Sequence, residues 1–121
     1  MKKVLTLLFL LISLIGCSTE TIESITIHKM KNFSEVNKEW EFVITDKNDI
    51  ELFNTAFKSA KKLPGIVDMA DPHYKVFLGE ETYFLWISKD SGTIMNTVDT
   101  HTIYSLSKSN SIKIYGLLDE K

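Results

Sequence analysis

Asp68, Asp71, His73, Asp99 and His101 are the side chains best suited to chemistry. Carboxylates and imidazoles ligate divalent metals and exchange protons. On a strand, Asp99 and His101 would point to one face, because alternate residues share a face. Asp71 and His73, from a loop, could face them, which would make a metal or hydrolytic site of Asp71, His73, Asp99 and His101. The spacing matches neither HExxH nor paired cysteines. A plainer reading of the same residues is that Asp71 begins a turn before Pro72, Asp99 bonds its own turn backbone, and the histidines are half-exposed.

Other routes to catalysis are thinner. Ser91 precedes Gly92, but no Gly-x-Ser-x-Gly elbow occurs. Glu80 and Glu81 are neighbours in a turn and would face solvent. There is no glycine-rich phosphate loop, so neither an enzyme nor a cofactor is expected. The aromatic residues carry more information. Tyr83-Phe84-Leu85-Trp86-Ile87 is apolar on both faces of its strand. One face must meet helices. The other needs cover from a loop, a lipid surface, a partner or a ligand. The candidate binding surface is therefore Trp86 with Asp68, Asp71, His73 and His101, around the loop from Pro64 to Tyr74. The alternative is a strand buried twice, with residues 63–73 folded over its outer side.

The chain has 121 residues, 44% apolar and 25% charged, with a net charge of −2. These values fit one ordinary globular domain. They offer no basic excess, so nucleic acid is not an expected partner.

The first residues read as an address. Met1-Lys2-Lys3 is basic, Val4 to Ile15 is almost wholly apolar, and Gly16-Cys17 precedes the polar run Ser18-Thr19-Glu20-Thr21. This is the form of a secretory signal, and its apolar run is too short to span a bilayer. Leu14-Ile15-Gly16-Cys17 resembles the lipobox of bacterial lipoproteins. That resemblance implies a diacylglyceryl group on the Cys17 sulfur and a mature chain beginning at Cys17. Cys17 is the single cysteine, so no internal disulfide can form. Without Lys2 and Lys3 the remainder holds 12 Lys against 16 acidic residues, a formal −4. Such a body should not adhere to anionic lipid by charge. The expected organisation is a signal peptide over 1–16, a lipidated Cys and tether over 17–24, and one domain over 25–121.

The periodicity of the domain predicts an α+β fold. Ile25 to His28 alternates and opens a strand, Lys31 to Lys38 is turn-like, and Trp40, Phe42 and Ile44 form one face of a second strand. Asp46 caps a helix in which Ile50, Phe53, Phe57 and Ala60 share a face. Lys58, Lys61 and Lys62 fall in its closing turns, before Pro64-Gly65. Tyr74–Leu78 and Thr82–Ile87 form a hairpin. Thr93–Met95 and His101–Leu106 add strands. Ser107 caps a last helix, in which Ile114, Leu117 and Leu118 share a face and Gly116 is a weak point. The order is β-β-α-β-β-β-β-α: an antiparallel sheet of about six strands with both helices on one face.

Four blocks carry a resemblance. They are Lys61-Lys62-Leu63-Pro64-Gly65-Ile66-Val67-Asp68-Met69-Ala70-Asp71-Pro72, Tyr83-Phe84-Leu85-Trp86-Ile87, Gly92-Thr93-Ile94-Met95-Asn96 and Asp99-Thr100-His101-Thr102-Ile103-Tyr104. With the lipobox, they make the chain from about Trp40 to Leu118 similar to the small YhfM-like lipoproteins of Bacillus-type bacteria. The resemblance implies export, anchoring and one compact domain, and no site residues. The expectation is a lipid-anchored protein on the extracytoplasmic face of the cell membrane. It would bind a small ligand or another envelope protein rather than convert a substrate.

Overall fold

The computed structural model describes residues 21–64 and 69–121. The expected signal peptide, Cys17, the start of the expected tether and Asp68 lie outside the described residues. Among the described residues, seven strands and two helices follow in order: β1 (Ile25–Met30), β2 (Val36–Ile44), α1 (Lys47–Lys58), β3 (Lys61–Lys62), β4 (Tyr74–Leu78), β5 (Glu81–Ile87), β6 (Gly92–Asn96), β7 (Tyr104–Ser105) and α2 (Lys108–Asp119). The sheet order is β2-β1-β4-β5-β6-β7-β3, and every pairing is antiparallel. The α+β class and the antiparallel sheet are as the periodicity predicts.

Local chemistry sets the element ends. The Asp46 carboxylate accepts from the Asp49 N–H and the Ser107 hydroxyl from the Asn110 N–H, each at 3.1 Å. Both satisfy a donor that an α-helix leaves unpaired at its start. Leu78 pairs with Glu81 across a two-residue turn. Gly79 has φ 62° and, among the described residues, no non-glycine residue has positive φ, which makes this a type II′ turn.

Two expectations are corrected. Lys61 and Lys62 do not close α1. The helix stops at Ser59, whose N–H and hydroxyl both donate to the Thr55 carbonyl. The two lysines instead pair with Ser105 and Tyr104, which brings the sheet to seven strands. The strand expected over His101–Leu106 shrinks to Tyr104–Ser105. Side-chain oxygens upstream capture the backbone: Asn96 Oδ1 accepts from Val98 N–H at 3.0 Å, and Asp99 Oδ1 accepts from His101 N–H at 3.4 Å. Such Asx contacts compete with strand pairing.

The helices lie on one face. Phe53, Ala56 and Phe57 of α1 and Ile114 and Leu118 of α2 pack on Ile25, Ile27, Val76, Leu85 and Ile94 of the sheet. Burying each large side chain of this kind contributes about 1.5–3 kcal/mol. Gly92 lets α2 approach closely. A Cβ there would lie 3.2 Å from the Ser111 hydroxyl of α2, 2.8 Å from the Leu106 side chain and 2.9 Å from that of Ile87. On the opposite face Phe84, Trp86 and Met95 form a second, smaller cluster with Met30, Met69 and Ile103. Strand β5 is thus buried on both sides, and Met69 and Ala70 fold over its outer side.

Candidate functional site

His73 sits where β4 begins. Its N–H donates to the Leu85 carbonyl, and its own carbonyl accepts from the Met30 N–H, both at 3.0 Å. Its Nδ1 accepts from the Ile87 N–H, also at 3.0 Å. One residue therefore joins β1, β4 and β5, and a neutral ring accepting at Nδ1 carries its proton on Nε2. Asp71, His73, Tyr74 and Tyr115 border an open cleft of about 550 Å³, with Lys29 and Lys31 at its rim. Burial, then the nearby Asp119 carboxylate and Tyr115, raises the Tyr74 pKa above its ordinary 10.0. Its hydroxyl stays protonated at neutral pH. Lys29 Nζ lies 5.0 Å above the Trp40 ring, and the Trp40 and Tyr74 rings are 5.6 Å apart. The cleft presents ammonium and hydroxyl donors with one carboxylate at its edge. That set suits holding a polar or anionic group rather than passing protons along a chain.

Trp86 is 8% exposed. Its indole N–H donates to the Ala70 carbonyl at 2.8 Å. Phe33 packs beside it, with ring centroids 5.9 Å from Trp86 and 5.6 Å from Phe84. The turn that presents Phe33 is held by Asn32, whose Oδ1 accepts from both Ser34 and Glu35 N–H groups. Trp86 therefore orders the cover over the outer sheet face and does not itself present a surface.

Asp99 and His101 are exposed in the loop between β6 and β7, at the other end of the sheet. That end is marked by the bond from the Thr97 N–H to the Thr82 carbonyl. Thr82 and Ile87 are separated by about 17 Å of strand. Asp99 lines a small hollow with Phe57, Tyr83 and Tyr104, where burial, then Glu81 and Tyr104, raises the Tyr83 pKa. The structure keeps the Asp71–His73 pair and the Asp99–His101 pair apart. Among the described residues no three His, Cys, Asp or Glu side chains are grouped to hold a metal ion.

The outer face also holds a feature that periodicity alone does not expose. Val43, Thr26, Phe77 and Thr82 stand in one cross-strand row. In the next row, His28 Nδ1 is buried with no hydrogen-bond partner among the described residues, and its ring meets Phe77 edge-on at 5.8 Å. Alternation marks each of these residues as sharing a face, but only the register makes them neighbours.

The YhfM protein family matches residues 18–121. The chain belongs to the YhfM family. No curated protein matches it, and no solved structure does. In this YhfM family member the matched region takes in the whole sheet, both helices, the Asp71–Tyr74 cleft and the Val43–Thr82 row.

Proposed function

We propose that this YhfM family member is a lipid-anchored protein of the extracytoplasmic membrane face that binds a partner or small ligand. The observation that carries the anchoring is the tetrapeptide Leu14-Ile15-Gly16-Cys17 behind a basic start and a short apolar run. Among the described residues no helix is long and apolar enough to cross a membrane. In this reading the lipid on Cys17 is the anchor. One acyl chain binds a bilayer marginally, while two or more hold a soluble body firmly.

Binding rather than catalysis is supported by the separation of the acid and imidazole groups and by the donor-lined cleft at Asp71, His73 and Tyr74. The partner is an envelope protein or a small polar ligand, and no nucleic acid is involved. The test of anchoring is Cys17→Ala, with globomycin treatment of the parent. Both should leave an uncut precursor, free of fatty acid in Cys17→Ala and still carrying diacylglyceryl on Cys17 under globomycin. Unchanged processing in both would overturn it. The test of binding is crosslinking and pull-down from membranes carrying the full chain. Recovery of one envelope protein that is lost in a Lys31→Glu variant would support the cleft.

A further inference from the structure

The outer-face row nearest the start of β1 carries no charge. Val43 pairs with Thr26, Thr26 with Phe77, and Phe77 with Thr82. Val43 is 46% and Phe77 37% exposed. The cover formed by Phe33, Met69 and Ala70 lies over Phe84 and Trp86, further along β5. Among the described residues this first row has no such cover.

The chain enters the domain at the same place. Thr21, Ile22, Glu23 and Ser24 share a hollow of about 360 Å³ with Thr26, Phe77 and Gly79. Thr21 is four residues from Cys17, a reach of at most about 14 Å. A lipid on Cys17 therefore brings a bilayer surface within reach of this row.

We propose that the stripe Val43–Thr26–Phe77–Thr82 rests against the headgroup layer of the membrane that holds Cys17. This rests on the lipid-anchored reading above. Exposed Val43 and Phe77 offer a small apolar face that can enter the shallow boundary between headgroups and acyl chains. Lys75 Nζ lies 5.6 Å over the Phe77 ring and offers a cation to lipid phosphate. Glu23 borders the stripe beside Phe77 and keeps the contact shallow, so the domain is held there by its tether and not by charge. In this pose β4 and β5 lead away from the bilayer, and the Asp71–Tyr74 cleft faces outward to soluble partners.

The test uses the full chain, processed in a lipoprotein-producing bacterium and placed in phosphatidylethanolamine–phosphatidylglycerol vesicles. Cys17 is the sole native thiol and is consumed by lipid, so an introduced cysteine is a unique label site. An environment-sensitive fluorophore is placed on Val43→Cys and, separately, on Lys89→Cys in the distal turn. Both positions are exposed, and circular dichroism checks that both variants fold. We expect the Val43 label to shift to the blue and to be quenched several-fold more by nitroxide lipids than the Lys89 label. Equal quenching at the two positions, in protein that floats with vesicles, overturns the docking and leaves the anchoring intact. Disulfide-linked pairs of unlabelled Val43→Cys assign the stripe to a second copy instead and also overturn it. A chain that does not float overturns the anchoring, and the docking falls with it.

Discussion

The Nδ1 atom of His73 accepts a hydrogen bond from the backbone N–H of Ile87 at 3.0 Å, extending the β4–β5 pairing past its last backbone bond. A side chain here replaces a strand residue. Replacing His73 with leucine leaves the Ile87 N–H, on a residue only 7% exposed, without an acceptor. The expected loss is about 1–3 kcal/mol, measured by denaturant unfolding. His73→Asn offers an oxygen in a similar place and should recover most of it. Equal losses in both variants would mean that the imidazole acts only through packing.

Trp86 anchors the cover of the outer sheet face. Trp86→Ala removes a buried ring and an indole N–H bonded to Ala70. The expected loss is about 3–5 kcal/mol, with faster proteolysis near Met69. Trp86→Phe keeps most of the packing and loses one hydrogen bond, for about 1 kcal/mol. Thermal melts of the two variants that coincide with the parent would show that the ring is not core.

Gly92 holds α2 close to the sheet. In Gly92→Ala the new methyl group would meet the Leu106 and Ile87 side chains at under 3 Å and the Ser111 hydroxyl at 3.2 Å. A destabilisation of about 1–3 kcal/mol is expected from overpacking, read as a lower midpoint in urea with an unchanged slope. Gly116→Ala is the control, since nothing lies within 4 Å of a Cβ there. It should stabilise by up to about 1 kcal/mol through helix propensity.

Tyr74 and Tyr83 both have pKa values raised above 10.0, chiefly by burial. The unfolded chain therefore releases their protons at lower pH than the folded one. Their contribution to stability is complete below pH 10 and is lost as pH rises through the folded values. Unfolding midpoints measured from pH 8 upward should stay level and then fall beyond about pH 10. The double variant Tyr74→Phe, Tyr83→Phe should flatten that fall.

Much of the domain was legible in order and type. Asp46 and Ser107 announce helix starts through short-range bonds to their own chain. The alternation at Trp40, Phe42 and Ile44 shows which face is buried, because side-chain direction in a strand repeats every two residues. The misread parts are those where a local preference competed with a distant partner. Lys61 and Lys62 suit a helix end, yet Tyr104 and Ser105 draw them into the sheet. His101 suits a strand, yet Asp99 and Asn96 bond the loop backbone first.

The sequence alone determined the lipobox-like tetrapeptide, the lack of any cysteine beyond Cys17 and the helix and strand periods, because each is written in neighbouring residues. Only the tertiary structure decided that the Asp71–His73 and Asp99–His101 pairs stand at opposite ends of β5. It alone put Trp86 under Ala70 and aligned Val43, Thr26, Phe77 and Thr82 across four strands. The physical reason is register. A strand shows which side each residue faces, but its neighbours across the sheet are chosen by packing over the whole core.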